Sequence, residues 1–162
     1  MIVTLEQAVK IAQKLKKEGK KIVTTNGCFD ILHVGHARYL AEARKLGDVL
    51  IVGMNSDKSP YFRTKPGRPI VPEPERLEML DALKSVDYVF PFSDETPNRW
   101  VGMIKPDFHV KASGKDYTIK DCVEKGSVEK AGGKVVLVPK TEGKSTTNIV
   151  KQVLKTYGEV VK

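Results

Sequence analysis

Cysteine is nearly missing from this sequence: Cys28 and Cys122 are the only two among 162 residues. Two thiols exclude a disulfide framework, and Cys28 is either a reactive thiol or a small reduced side chain in a tight turn. No apolar run reaches the roughly 18 residues that a membrane helix needs, and no N-terminal apolar segment reads as a secretory signal. A cytoplasmic protein without membrane contact is expected. Also lacking are an internal repeat, a helix-turn-helix pattern and a basic patch interleaved with aromatics. Only the net charge of +8 therefore speaks for nucleic acid. That charge is spread along the chain and suits phosphorylated small molecules equally well. What is present is an ordinary globular composition, 40% hydrophobic and 30% charged, sufficient for one core in a single domain over residues 1–162.

Periodicity orders the chain. Thr4 and Gln7 have capping-box spacing, and Leu5, Val9, Ala12 and Leu15 share one face, so residues 1–20 carry an N-terminal helix ended by Gly19. Strands are expected at 22–25, 48–54, 88–90, 108–111 and 134–138, and helices at 36–46, 75–83, 98–104, 123–131 and 147–157. Residues 55–74 stand apart as a long basic loop, with Pro60, Pro66, Pro69 and Pro72 among Arg63, Lys65, Gly67 and Arg68. Strand–helix alternation predicts an α/β fold: a Rossmann-like, doubly wound parallel sheet in three α/β/α layers. Ligands of such sheets sit beyond the carboxyl ends of the strands. Three segments share that rim: the turn after the first strand, the basic loop, and the turn before the last helix.

The first of these is TNGCFDILHVGH, residues 25–36. It leaves a strand and opens a helix, so free backbone N–H groups and the positive end of the helix face the rim. Gly27 lets the turn close tightly, and Gly35 leaves room for a bulky anion. His33 and His36, three apart, are neighbours able to donate to phosphate oxygens. They are also compatible with half a zinc site, with Cys28 and His109 as company, or with capping and core roles. Near the last helix, Ser145 or Thr146 is a good N-cap, and the N–H groups behind it can bind an anion.

Residues 27–36 resemble the HxGH signature of the nucleotidyltransferase superfamily that includes cytidylyltransferases and class I aminoacyl-tRNA synthetases. The form GxFDxxHxGH resembles its small cytidylyltransferase-like branch. Within that branch the chain is similar to adenylyltransferases for D-glycero-D-manno-heptose 1-phosphate. Asn55-Ser56-Asp57, Gly67-Arg68-Pro69-Ile70, Glu75-Arg76, Lys105-Pro106-Asp107 and Ser145-Thr146-Thr147-Asn148-Ile149 carry that similarity across residues 22–154.

The resemblance implies AMP transfer from ATP to a sugar 1-phosphate, giving an ADP-heptose for lipopolysaccharide and releasing pyrophosphate. It implies catalytic roles for His33, His36 and Thr146, and nucleotide contacts from Asn26, Gly27, Cys28, Phe29, Gly35, Ser145, Thr146 and Thr147. Arg63, Lys65, Arg68, Arg76 and Lys111 would meet substrate phosphates. Mg²⁺ would accompany ATP, with Asp30 a candidate ligand. ATP and a sugar phosphate are the partners implied, and a homodimer is allowed. Residues 110–117 are longer than the usual Val-Lys-Gly-Gly-Asp-Tyr and carry an extra lysine. Thr64 replaces a usual lysine, and Lys144 stands where an apolar residue is common. The pattern at residues 141–147 is shared with glycerol-phosphate enzymes that use CTP, the catalytic alternative. A non-catalytic, basic nucleic-acid-binding domain is the alternative outside catalysis.

Overall fold

Pleating sorts the apolar runs of the strands onto two faces, and a computed structural model of the chain, describing residues 1–114 and 117–158, has helices on both. In chain order the elements are α1 (Leu5–Lys17), β1 (Ile22–Gly27), α2 (Val34–Arg44), β2 (Val49–Asn55), α3 (Pro60–Arg63), α4 (Glu73–Asp81) and β3 (Tyr88–Phe92). There follow α5 (Asn98–Ile104), β4 (Phe108–Ser113), α6 (Lys125–Lys130), β5 (Lys134–Pro139) and α7 (Thr146–Tyr157). The five strands form one sheet in the order β3-β2-β1-β4-β5. All pairings are parallel, with Ile22 opposite Val49 and Phe108 opposite Lys134. This is the Rossmann-like, doubly wound α/β architecture expected.

Alternate residues divide the core. Ile22, Ile51 and Phe90 face Leu5, Ala8, Ala12, Trp100 and Ile104 from α1 and α5. Val23, Leu50, Val52 and Val89 face Leu40, Ala43, Leu77 and Leu80 from α2 and α4. β2 is buried along its whole length, which explains its unbroken apolar run. A Cβ on Gly53 of that strand would lie 2.8 Å from Trp100 Cζ2, so only glycine lets the indole pack there. Pro91 falls in β3, an edge strand, where a missing N–H is tolerated. Val3 N–H and Val89 N–H bond across to Val89 and Met1 carbonyls, at 2.9 and 3.1 Å, and cover that edge.

Local signals place α1 well. Thr4 Oγ1 accepts from Gln7 N–H at 3.2 Å, Gln7 Oε1 accepts from Thr4 N–H at 2.7 Å, and Gly19 takes φ +76° beyond the helix. Other boundaries shift. α2 starts at Val34 instead of 36 because His33 is itself the N-cap. The segment 55–74 is not continuous loop: Ser59 Oγ caps the short α3, and α4 opens at Glu73 with Pro74 in its first turn. The expected helix 123–131 is α6 alone, preceded by a 3-10 turn at Ile119–Asp121. Lys115 and Asp116, in the lysine-bearing segment 111–117, lie outside the described residues. No helix among the described residues is long and apolar enough to cross a membrane.

Candidate active site

A cleft of about 790 Å³ opens at the carboxyl ends of β1 and β4, and residues of all three rim segments line it. Its floor is the turn after β1. Phe29 adopts φ +46°, a left-handed conformation costly for a side chain of this size. Its ring lies beside Gly27, where a Cβ would meet Phe29 Cε2 at 3.1 Å, and stands edge-on to His36 with centroids 5.3 Å apart.

The two expected histidines come together. His33 and His36 stack with centroids 3.9 Å apart and planes 21° from parallel. His33 Nδ1 accepts the Gly35 N–H at 3.1 Å, so the proton of the neutral ring belongs on Nε2. His36 Nδ1 is buried without a hydrogen-bond partner among the described residues. Burial, and then the neighbouring His33, push His36 down to about 4; burial also lowers His33. Both rings are therefore neutral near pH 7 and offer one N–H each. Gly35 lines the cleft, and a side chain there would collide with the protein on both sides of it. A Cβ there would lie 2.9 Å from Cε1 and Nδ1 of His33 and 3.2 Å from Lys144 Cβ.

Facing them is the start of α7. Ser145 is the N-cap, its Oγ accepting the Asn148 N–H at 3.1 Å, and Thr146 and Thr147 begin the helix at the cleft. Asn148 Nδ2 donates to the Gly143 carbonyl at 3.1 Å, holding the turn against its own helix. The N-termini of α2 and α7 thus border one cavity; at α7 the Thr146 and Thr147 N–H groups have no acceptor among the described residues, whereas at α2 the Gly35 and His36 N–H groups are taken by His33 itself.

The charged candidates divide. Lys65 and Arg68 line the cleft, whereas exposed Arg63 lies outside its lining. Asp30 is not available to a metal. Its Oδ2 accepts from Arg68 Nη1 at 2.5 Å, and its Oδ1 accepts from the Ile70 and Val71 N–H groups at 2.8 and 2.9 Å. Burial would raise its carboxyl, but these donors outweigh burial and hold it below the usual range. Asp30 therefore anchors the basic segment to the floor.

Arg76 is likewise no substrate ligand. It is 1% exposed, and its guanidinium donates to the carbonyls of Val71, Cys28 and Asn55, and to Asp57. Those bonds join α4 to the ends of β1 and β2. The zinc alternative does not assemble either: His109 is fully buried beside Thr24, and no group of three or more His, Cys, Asp or Glu among the described residues could hold a metal.

Lys111 does reach the cleft, where Asn26 Oδ1 and Glu124 Oε1 accept from its Nζ at 2.9 and 2.7 Å. Glu124 was not legible in the sequence, where it is one acid in a lysine-rich stretch. Lys140, Lys144 and Glu95 also line the cavity. Lys144 had a signal in the sequence, as a charge in a usually apolar position. Cys28 is half-buried at the cleft with a free thiol.

Comparison with known proteins bears on family and fold. The profile of the family described as cytidylyltransferase-like matches residues 24–152. The bifunctional protein HldE of Geobacter metallireducens is 47% identical over 158 residues, covering 98% of this chain and 32% of that protein. HldE of Pectobacterium carotovorum is 47% identical over 149 residues, 92% of this chain and 31% of that protein. The chain thus spans about a third of the length of the curated relatives it matches. Among solved structures, the lipopolysaccharide core biosynthesis protein from Thermoplasma volcanium is 30% identical with a TM-score of 0.63, covering 78% of this chain and all (100%) of that one. Pantoate-beta-alanine ligase from Francisella tularensis, 18% identical with a TM-score of 0.62 over 99% of this chain and 76% of that one, shares the fold. With its paired histidines and the Ser145-Thr146-Thr147 turn on one rim of a parallel sheet, the chain belongs to the cytidylyltransferase-like family of nucleotidyltransferases.

Proposed function

We propose that the chain transfers AMP from ATP to a sugar 1-phosphate, heptose 1-phosphate by its resemblance, and releases pyrophosphate. One observation carries the reading: two helix N-termini, one bearing stacked neutral histidines and the other Ser145, Thr146 and Thr147, face each other across one cleft. An oxygen of the acceptor phosphate attacks the α-phosphorus of ATP in line. The new P–O bond forms as the bond to the bridging oxygen breaks, and that oxygen leaves with pyrophosphate. The acceptor is already an anion, so no general base is needed, and catalysis consists of positioning and charge stabilisation. The Nε2–H of His33, an N–H of His36, the Thr146 hydroxyl and the Thr146 and Thr147 N–H groups at the start of α7 supply donors for the reacting phosphates. Asn26, Gly27, Cys28, Phe29 and Gly35 shape the nucleotide's path, and Lys65 and Arg68 add positive charge. Mg²⁺ is proposed to arrive with ATP, held by its phosphates and water; with Asp30 committed elsewhere, no step is assigned to it. A cytoplasmic location and a homodimer belong to the same proposal.

HldE relatives and the lipopolysaccharide core biosynthesis protein support the heptose acceptor. The shared pattern at residues 141–147 favours the second reading, CTP with glycerol 3-phosphate. Pyrophosphate release, measured for each nucleoside triphosphate against each phosphorylated acceptor, separates them. ATP with heptose 1-phosphate is expected to be fastest. Equal or faster turnover of CTP with glycerol 3-phosphate moves the assignment to the second reading. Salt-sensitive binding to random DNA with no pyrophosphate release would leave a nucleic-acid-binding domain.

A further inference from the structure

A buried carboxylate is stable only when donors surround it. Glu124, 1% exposed, lies immediately before α6 and extends beneath the wall of the cleft. Its Oε1 accepts from Lys111 Nζ at 2.7 Å, and its Oε2 accepts from the Cys122 thiol at 3.0 Å. His109 Nε2 is 4.0 Å from Oε1, and the other ring nitrogen is 2.9 Å from Thr24 Oγ1. Burial would raise the Glu124 carboxyl, but Lys111 and the Cys122 thiol outweigh it and keep it ionised. Burial and Glu124 together push that thiol up to about 11, so it stays a donor.

This network converges on Lys111, which bridges three parts of the fold. Its backbone is on β4, its ammonium meets Glu124 ahead of α6, and it donates at 2.9 Å to Asn26 at the end of β1. A lysine ammonium has three N–H donors. Two are taken by Glu124 and Asn26, which leaves one at the cleft. A free lysine loses much rotamer entropy on binding an anion, and a lysine already fixed avoids most of that loss. An ion pair serving stability alone would have no need to extend into the turn that also carries His33 and His36.

We propose that Glu124 is a positioning residue that, with Asn26, holds the Lys111 ammonium so that its remaining N–H meets a substrate phosphate at the end of β1. The inference rests on the transfer reading above. Its test is a double-mutant cycle on the full chain, following pyrophosphate release with ATP and heptose 1-phosphate for Lys111→Met, Glu124→Gln and the double variant. Each single change is expected to lower kcat/KM about 10- to 100-fold, the range for losing a hydrogen bond to a charged group. The double variant should be no slower than the slower single one, because Glu124 acts through Lys111. Losses that multiply, or a Glu124→Gln protein that melts earlier with intact kinetics, overturn the proposal. Asn26→Ala leaves the buried pair in place and provides the same cycle with Lys111→Met should Glu124→Gln not fold. A wild-type protein that releases no pyrophosphate sinks the transfer reading instead. The cycle is then read in calorimetric Kd for Mg-ATP, where no effect at Lys111, or independent effects, overturns the positioning role.

Discussion

Substituting Gly35 by alanine tests the histidine pair without removing either ring. The added Cβ would stand 2.9 Å from Cε1 and Nδ1 of His33, while ordinary contact begins at 3.4 Å, so the ring must retreat by about 0.5 Å. Moving it breaks the 3.1 Å bond from the Gly35 N–H to His33 Nδ1, the cap of α2. The 3.2 Å approach to Lys144 Cβ also presses on the turn before α7. Losing an N-cap costs about 1 kcal/mol. Replacing glycine by alanine inside a helix returns about the same, 0.8–1 kcal/mol. Stability should therefore change little.

Activity should not be spared. The pair stacks at 3.9 Å, and displacing one ring takes its N–H off line from the phosphate it serves. A misplacement of about 1 Å can cost about 100-fold, so a shift half that size should lower kcat roughly 10-fold. Initial rates of pyrophosphate release, with thermal melts of the same preparations, measure both quantities. A Gly35→Ala protein with kcat within about threefold of wild type refutes the claim that the stacked geometry matters. One that loses several kcal/mol of stability shows that the opposing terms were misjudged.

His36→Ala should lower kcat about 10²–10³-fold with a smaller change in KM for ATP; His33→Ala should also slow transfer, and the double variant should lose less than the product of the two. Normal turnover by His36→Ala would eliminate the mechanism. Acid should destabilise the fold. His36, held at about 4, and His109, held at about 3 by burial and then by Lys111, bind fewer protons folded than unfolded, where the ordinary value is 6.5. Their contribution is complete above pH 6.5 and drains as pH falls from there towards 4 for His36 and 3 for His109, so melting temperature should drop over that window, and a flat profile would contradict the burial argument. Arg76→Met should cost about 3–5 kcal/mol, because Asp57 and three carbonyls lose their donor; an unchanged melting temperature with a raised acceptor KM would return Arg76 to the substrate.

Much of this protein was legible in one dimension. The capping box at Thr4 and Gln7, the apolar run of β2 and the alternation of strand and helix depend on neighbours a few residues apart, and they dictate a parallel sheet with its site beyond the strand ends. The GxFDxxHxGH string was equally plain, because a turn leading from strand to helix puts its histidines side by side by local geometry. Charge told less. Asp30, Arg76 and Lys111 have the side chains a phosphate or metal site needs, yet what each does depends on partners 38 to 85 residues away: Arg68 for Asp30, Cys28 for Arg76, Asn26 for Lys111. A sequence displays a group's charge. Only the folded chain decides whether the charged group is itself buried and consumed by its partners, as in Asp30 and Arg76, or held at the cleft by a buried one, as in Lys111. The reason is that the cost of burying a charge depends on the donors and acceptors that tertiary packing brings to it.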